Sequence, residues 1–433
     1  MPLLSRIRQR AGNTRMTTSS SAPTLSRARA LQALREPGDD RPLVALISAA
    51  GPNPWSRRSL VARHERPLEI RRQADLHALF AALGPRREPP AARGEPGAVA
   101  ILDYELGALL EPAASTTRRD ADSTPLATLL RLADPAEPLP GAERESPDDL
   151  ARIPYTVSPL RPLVPEREFT AAVRAALDHI AAGDAYQVNL THPLRARAAG
   201  PLRALAADAI ERTRARFAAF IQLPQRAILS TSPELLIRVT PAGRITARPI
   251  KGTRPAGGEA ELLASGKDAA ELAMIVDLMR NDLGRVCQPG SMRVDAPRLL
   301  ERHAGVVHTV AEVSGDLRPE VEWEDVLRAV FPAGSVTGAP KIRAMQIIGE
   351  LEPHPRGAYC GSTLWLSEDG TMDLSVNIRT AELTPARGGG HDLTFGVGAG
   401  IVADSDPEAE WAETLAKARG FAHAVGSRVE GGS

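Results

Sequence analysis

Residues 363–383 read TLWLSEDGTMDLSVNIRTAEL, two runs alternating apolar and polar side chains around an Asp369-Gly370 pair. A period of two marks strands with one buried face, and Asp-Gly between them marks a turn, so the stretch predicts an antiparallel hairpin. Outward from it the pattern recurs. On the C-terminal side DLTFGVGAGIVAD (392–404) reads as a further strand, and DPEAEWAETLAKARGFAHAV (406–425) as a closing helix. On the N-terminal side GVVHTVAEVSGDL, RITARPI, LLIRVT, RAILSTS, FAAFIQL and VNLTHPL read as short strands of a meander. Two helices interrupt them. EREFTAAVRAALDHIAAGDAY (166–186) places Phe169, Val173, Ala176 and Ile180 on one face and ends at Gly183; EAELLASGKDAAELAMIVDLMRNDLGRV (259–286) carries a stripe of Leu272, Ile275, Val276 and Met279. Earlier still, LVALISA (43–49) and AVAILDYELGALL (98–110) read as strands, the second running into a turn or helix. The sum is an α/β (α+β) protein of antiparallel sheets with helices around them.

Composition narrows the class. The 433 residues allow one large or two to three ordinary domains, and 43% hydrophobic residues suffice for a sizeable core. Lys plus Arg number 53 and Asp plus Glu number 53, so no global field favours nucleic acid or a membrane surface. No apolar run reaches the roughly 20 residues of a membrane span, and two cysteines, Cys287 and Cys360, cannot build a disulfide scaffold. The expectation is a cytoplasmic protein. Residues 1–38 are Arg-rich and acid-free before Glu36, which predicts a disordered basic extension; a transit peptide, or a true start at Met16, would also account for it. The stretch from about 112 to 150 is rich in Pro, Asp, Ser, Thr and Glu and reads as a linker, apart from ATLLRLA (127–133).

Several side chains could carry chemistry. Glu410 and Glu413 share a helix face, and Glu271 follows Asp268 by three, so two helices offer acid pairs that suit Mg²⁺ or merely a solvated face with Glu413 paired to Lys417. GVGAG (396–400) frees backbone N–H groups for an anion, without the spacing of a dinucleotide fingerprint. GSVTGAPK (334–341) lacks the Lys-Ser/Thr of a phosphate loop, and Pro340 with Thr337 reads equally as a capped helix entry. Lys251 in PIKGT is a desolvated nucleophile or a lysine whose stem packs while its head reaches water. Arg379, Tyr359 and His308 are carboxylate binders or ordinary sheet residues.

Their order decides more than any one of them. GDAYQVNL, STSPELLIRV, RPIKGTRP, AELAMIVDLMRNDLGRV, HTVAEVSGDL, FPAGSVTGAPKIRAMQII, YCGSTLWLSEDGTMDLSVNIRT and GAGIVADSDPEAEWAETLAKA together closely resemble the chorismate-utilising enzymes. That family includes anthranilate synthase component I, aminodeoxychorismate synthase component I, isochorismate synthase and salicylate synthase. The resemblance implies the anthranilate synthase component I-like fold, a sandwich of antiparallel sheets with flanking helices. It covers about 165–422. A catalytic domain over 161–425 and a divergent N-terminal region over 39–160, where only DYELG (103–107) is similar, follow from it.

The resemblance also implies roles. Glu271 and Glu413, with Glu410 beside them, would hold Mg²⁺ against the ring carboxylate of chorismate. Gly398, Ala399 and Gly400 would offer backbone N–H groups to a substrate carboxylate, aided by Lys417 and Ser335. Arg379 and Tyr359 would clamp the enolpyruvyl carboxylate, Thr253 and His308 would line the site, and Glu234 would protonate the departing 4-hydroxyl. Members that add water carry a lysine base where this chain has Gln187, which cannot deprotonate water. Anthranilate synthases carry Ala where this chain has Lys251. In aminodeoxychorismate synthases that lysine adds to the ring and is displaced by ammonia, so PIKGT points to that member, with anthranilate synthase and a non-catalytic binding subunit as the alternatives. Ammonia would come from a separate glutamine amidotransferase subunit in a heterodimer, and a separate lyase would act on the product.

Overall fold

A computed structural model describes residues 27–35, 43–48, 60–63, 67–93, 97–114, 125–132, 154–303 and 305–431. The period-two segments pair into two antiparallel sheets. The first runs, in spatial order, Gly338–Ala339, Gln187–Ala199, His391–Ile401, Thr380–Pro385, Ala227–Ser232, Phe217–Gln222, Leu43–Ile47 and Leu60–Arg63. The second runs Ile250–Pro255, Val306–Asp316, Arg244–Arg248, Leu235–Val239, Met372–Val376, Ser362–Leu366, Ala98–Leu102, Ala127–Arg131 and Leu68–Ile70, with Arg293–His303 paired on Val306–Asp316. The opening hairpin forms as Ser362–Leu366 against Met372–Val376, and Gly370 takes the positive φ of 85° at its turn. The alternation then crosses sheets: Thr380–Pro385 belongs to the first.

The two faces of the first sheet have different fates. Phe395, Val397, Ala399 and Ile401 point outward under the helices Glu166–Ala181 and Pro407–Ala424, with Phe395 stacked on Phe421 at 4.1 Å. The inner face is apolar at one end, where Val44, Leu46, Ala219, Ile221 and Ile228 meet Val99, Ile101 and Leu130 of the second sheet. At the other end it carries Gln187, Asn189, Thr191, Gly396, Gly398 and Gly400, by strand alternation and register. A sandwich whose core gives way to polar and glycine positions leaves room there for a ligand.

Several expectations are corrected. The 39–160 region contributes strands to both sheets and to one shared core, so it is interleaved with the rest. Ala127–Arg131, in the ATLLRLA patch set apart from the linker-like stretch, is a paired strand, and the rest of that stretch lies largely outside the described residues. Thr337 does not cap the helix Lys341–Leu351; it ends the short helix Gly334–Thr337 and donates to the Ala333 carbonyl, while Pro340 stands at the N-cap. Residues 1–26 lie outside the described residues, but Arg27–Arg35 is a helix, not a disordered arm. Its Ala30, Leu31 and Leu34 are buried, Arg27 donates to the Ile210 carbonyl at 2.9 Å, and Arg35 pairs with Asp208 at 3.1 Å. Deleting residues 1–35 is therefore expected to lower the thermal midpoint, since uncovering a buried leucine costs about 2–5 kcal/mol. An unchanged midpoint in differential scanning calorimetry would show that this helix is not docked.

Candidate active site

Lys251 stands on the edge strand Ile250–Pro255, where the ladder is irregular. Lys251 faces Thr309 and Thr253 faces His308, so Gly252 is an extra residue in a bulge. Its φ is 73°, and a Cβ there would lie 2.8 Å from Leu262 Cδ1 and 2.9 Å from Asp268 Cγ, so only glycine fits. Thr309 Oγ1 donates to the Lys251 carbonyl, and Thr253 Oγ1 meets His308 Nδ1 at 2.7 Å, with His308 buried. The bulge is thereby fixed on both sides, and the lysine stem is aimed away from the ladder.

What Lys251 meets is a ring of acids. Its Nζ is 3.8 Å from Glu271 Oε2 on the helix Gly266–Gly284, which starts at the Ser265 cap and buries Leu272, Ile275, Val276 and Met279 beneath. Burial pulls the lysine below its usual pKa; Glu271, Glu234 and Glu413 oppose the fall and Lys417 adds to it. Glu234 is 5% exposed and follows the strand Ala227–Ser232. Burial pushes its carboxyl up to about 7, against the Ser335 hydroxyl, which donates to Oε1 at 2.8 Å, and the charge of Lys251. Ser335 is placed by the Gly334–Thr337 turn, which packs so closely on Leu278 that a Cβ on Gly334 would lie 2.2 Å from Leu278 Cδ2.

The closing helix supplies the opposite wall. Lys417 donates to the Gly398 carbonyl at 2.8 Å and pairs with Glu413 at 2.8 Å. Burial would raise Glu413, but Lys417, Lys267 and Lys251 outweigh it and hold the carboxyl below its usual range. Gly396–Ile401 pairs with Gln187–Ala199 alone, because the register with Thr380–Pro385 ends at Phe395. Its second backbone edge carries no strand among the described residues. A Cβ at Gly400 would lie 2.8 Å from Gln187 Nε2, and neither Nε2 nor Oε1 of this buried amide has a hydrogen-bond partner among the described residues. The Tyr359 ring covers Gly396, where a Cβ would lie 2.1 Å from Cδ1. Arg379 is exposed by area yet close to enough protein for desolvation to lower its pKa, and no acid among the described residues is close enough to offset this.

A sequence profile of the chorismate binding enzymes matches residues 55–423. The chain belongs to the chorismate binding enzyme family. Within it, the chain is 38% identical over 356 residues to aminodeoxychorismate synthase component 1 of Klebsiella aerogenes, covering 76% of this chain and 77% of that protein. It is 42% identical over 273 residues to anthranilate synthase component 1 of Aquifex aeolicus, covering 60% of this chain and 53% of that protein. The chain thus spans about half the length of some curated relatives it matches. The crystal structure of anthranilate synthase component I from Streptococcus pneumoniae superposes with a TM-score of 0.66 at 25% identity, over 94% of this chain and 95% of that one.

The family resemblance brought Mg²⁺ into question, and the donor set fits it in part. Glu271 and Glu413 both act on the Lys251 ammonium, so two carboxylates face one space. Mg²⁺ is commonly bound through one or two carboxylates, with water and substrate oxygens completing the octahedron. Glu410 stands near Glu413, yet its Oε1 accepts from Ser405 Oγ at 2.7 Å and its side chain is buried, so it is engaged elsewhere. No group of three or more potential ligands is assembled among the described residues.

Sequence reading missed Arg356. Its guanidinium is buried on Glu352 at 2.7 Å and donates to the carbonyls of Val336 at 2.8 Å and Asn189 at 2.6 Å, tying the Ser335 turn to the Gln187–Ala199 strand. An arginine and an acid around the Pro- and Gly-rich EPHPRG (352–357) were the available signal.

Proposed function

We propose that the chain is an aminodeoxychorismate synthase component, replacing the 4-hydroxyl of chorismate with an amino group. The carrying observation is Lys251, a lysine pushed toward its neutral form on a bulge, next to a carboxylic acid whose pKa of about 7 keeps a proton available near neutrality. In this reading the Lys251 amine adds to the ring, and the hydroxyl leaves as water with a proton from Glu234. Ammonia then displaces the lysine, giving the 4-amino product and the free side chain. Glu271 and Glu413 would hold Mg²⁺, which neutralises the ring carboxylate when bound. Arg379, Tyr359 and the open Gly398–Gly400 backbone would bind the substrate's carboxylates, and Gln187 would leave no base for water. The ammonia would be delivered by a glutamine amidotransferase subunit.

Relatives of comparable identity named anthranilate synthase make the 2-amino product the second reading. The test is incubation with chorismate, Mg²⁺ and an ammonium salt, with and without an added aminodeoxychorismate lyase. Lyase-dependent 4-aminobenzoate supports the proposal; 2-aminobenzoate made without lyase overturns it.

Glu234 gives a separate prediction. Its pKa is 4.5 in an ordinary carboxyl and about 7 here, so the folded state holds a proton that the unfolded state has lost between those values; stability falls as pH rises from about 4.5 to about 7 and is flat above. Glu234→Gln is expected to lower turnover by roughly 10²–10⁴-fold, the range for one group that moves a proton. Its thermal midpoint should gain on the wild type as pH rises from about 4.5 to about 7 and change no further above that. A variant that keeps full turnover would remove Glu234 from the chemistry.

A further inference from the structure

We propose that Glu105, in the DYELG segment, is a positioning residue that sets the Tyr359 side chain against the substrate. The proposal rests on the reading above in one respect, that Tyr359 faces chorismate.

Both oxygens of Glu105 are spent on one turn: Oε1 accepts from the Arg356 N–H at 2.7 Å and Oε2 from the Gly357 N–H at 3.2 Å. Tyr104 adds a third tie, its N–H donating to the Gly357 carbonyl at 2.8 Å, while its ring lies 4.3 Å beneath the Arg356 guanidinium. The far end of the same turn is gripped as well, since a Cβ on Gly361 would lie 2.1 Å from the Leu102 carbonyl oxygen. Residues 102–105 therefore hold residues 356–361 from both ends, and Tyr359 lies between the grips.

That turn needs holding. Cys360, next to Tyr359, has φ of 62°, and Arg379 has φ of 53°; neither is glycine. Such conformations persist only where surrounding contacts over-determine them. The two strained positions are linked, because Cys360 N–H donates to the Asn377 carbonyl at 2.9 Å and Asn377 N–H to the Gly361 carbonyl at 2.9 Å. A single carboxyl group accepting two backbone N–H groups pins the turn at two neighbouring points, and Glu105 supplies it from the opposite half of the chain. This gives DYELG a purpose that its sequence alone did not reveal.

The experiment is a double-mutant cycle on chorismate consumption, followed by loss of substrate so that it is independent of the product formed. Glu105→Gln keeps the size of the side chain but turns an NH₂ toward one of the two N–H donors. It is expected to raise KM for chorismate about tenfold with kcat within about threefold. In a Tyr359→Phe background the same change should raise KM by less than about twofold, because the contact it positions is already gone. If Glu105→Gln does not fold, the cycle is run with Glu105→Asp, which keeps the carboxyl group and withdraws it by one methylene. Additive effects on KM, or a lowered thermal midpoint with KM unchanged, would overturn the role of Glu105. Wild-type protein that consumes no chorismate overturns the functional reading itself.

Discussion

Lys251→Ala is expected to cut formation of the 4-amino product by roughly 10²–10⁴-fold, the scale of removing one group that acts on the reacting atoms. KM for chorismate should change far less. The side chain is only 15% exposed, and its nearest recorded partner is Glu271 at 3.8 Å, so truncation leaves the carboxylate clamps and Glu234 in place. Burial lowers the lysine's pKa while Glu271, Glu234 and Glu413 partly restore it. A neutral amine is needed for attack, so the wild-type rate should rise with pH through a value below that of free lysine, and this limb should vanish in the alanine variant. Residual turnover would be direct addition of ammonia to the ring. Full 4-amino activity in the variant would remove covalent catalysis by Lys251, whichever product the wild type makes.

Strands with one exposed face, such as the outer half of Gln187–Ala199, were legible as a period of two, and strands buried on both faces, such as Leu43–Ile47 and Ala98–Leu102, as short apolar runs. Arg293–His303 escaped because Pro297 and register shifts at Ala296 and Leu299 break its alternation. The helix Arg27–Arg35 escaped because arginine-rich composition masked a narrow stripe of Ala30, Leu31 and Leu34. Single site residues were visible as types, such as a lysine in an apolar strand end, but their company was not. Ser335 and Glu234 are 101 residues apart in the chain and 2.8 Å apart in space. Glu410 and Glu413 share a helix face and spacing already offered the Glu413–Lys417 pair, but only the fold shows Glu410 turned to Ser405. Gln187 could be recognised as a missing base, whereas its unspent amide against Gly400 is a property of the folded sheet. Order along the chain carried the family; packing carries the chemistry.

Glu271→Gln is expected to abolish measurable turnover at low millimolar Mg²⁺ and to weaken binding of Mn²⁺, used as a spectroscopic stand-in, by roughly 100-fold or more. The site has few protein ligands to lose. Of the three acids acting on Lys251, Glu234 is engaged by Ser335, which leaves Glu271 and Glu413 for the ion, and no group of three potential ligands is assembled among the described residues. With two anionic oxygens donors, replacing one carboxylate by a neutral amide removes half of the protein's formal charge at the ion, and hard cations depend on that charge. The fold should survive, because Glu271 is 22% exposed on the side chain and lies outside the buried stripe of its helix. Glu413→Gln should behave alike, though with a second effect that separates the two. Glu413 also neutralises Lys417, which donates to the Gly398 carbonyl, so its loss should raise KM for chorismate even at saturating Mg²⁺. Glu410→Gln should leave Mn²⁺ affinity nearly unchanged, since its carboxylate is held by Ser405. Normal turnover of Glu271→Gln at low Mg²⁺, or an Mn²⁺ affinity equal to that of the wild type, would take the metal away from this pair of acids.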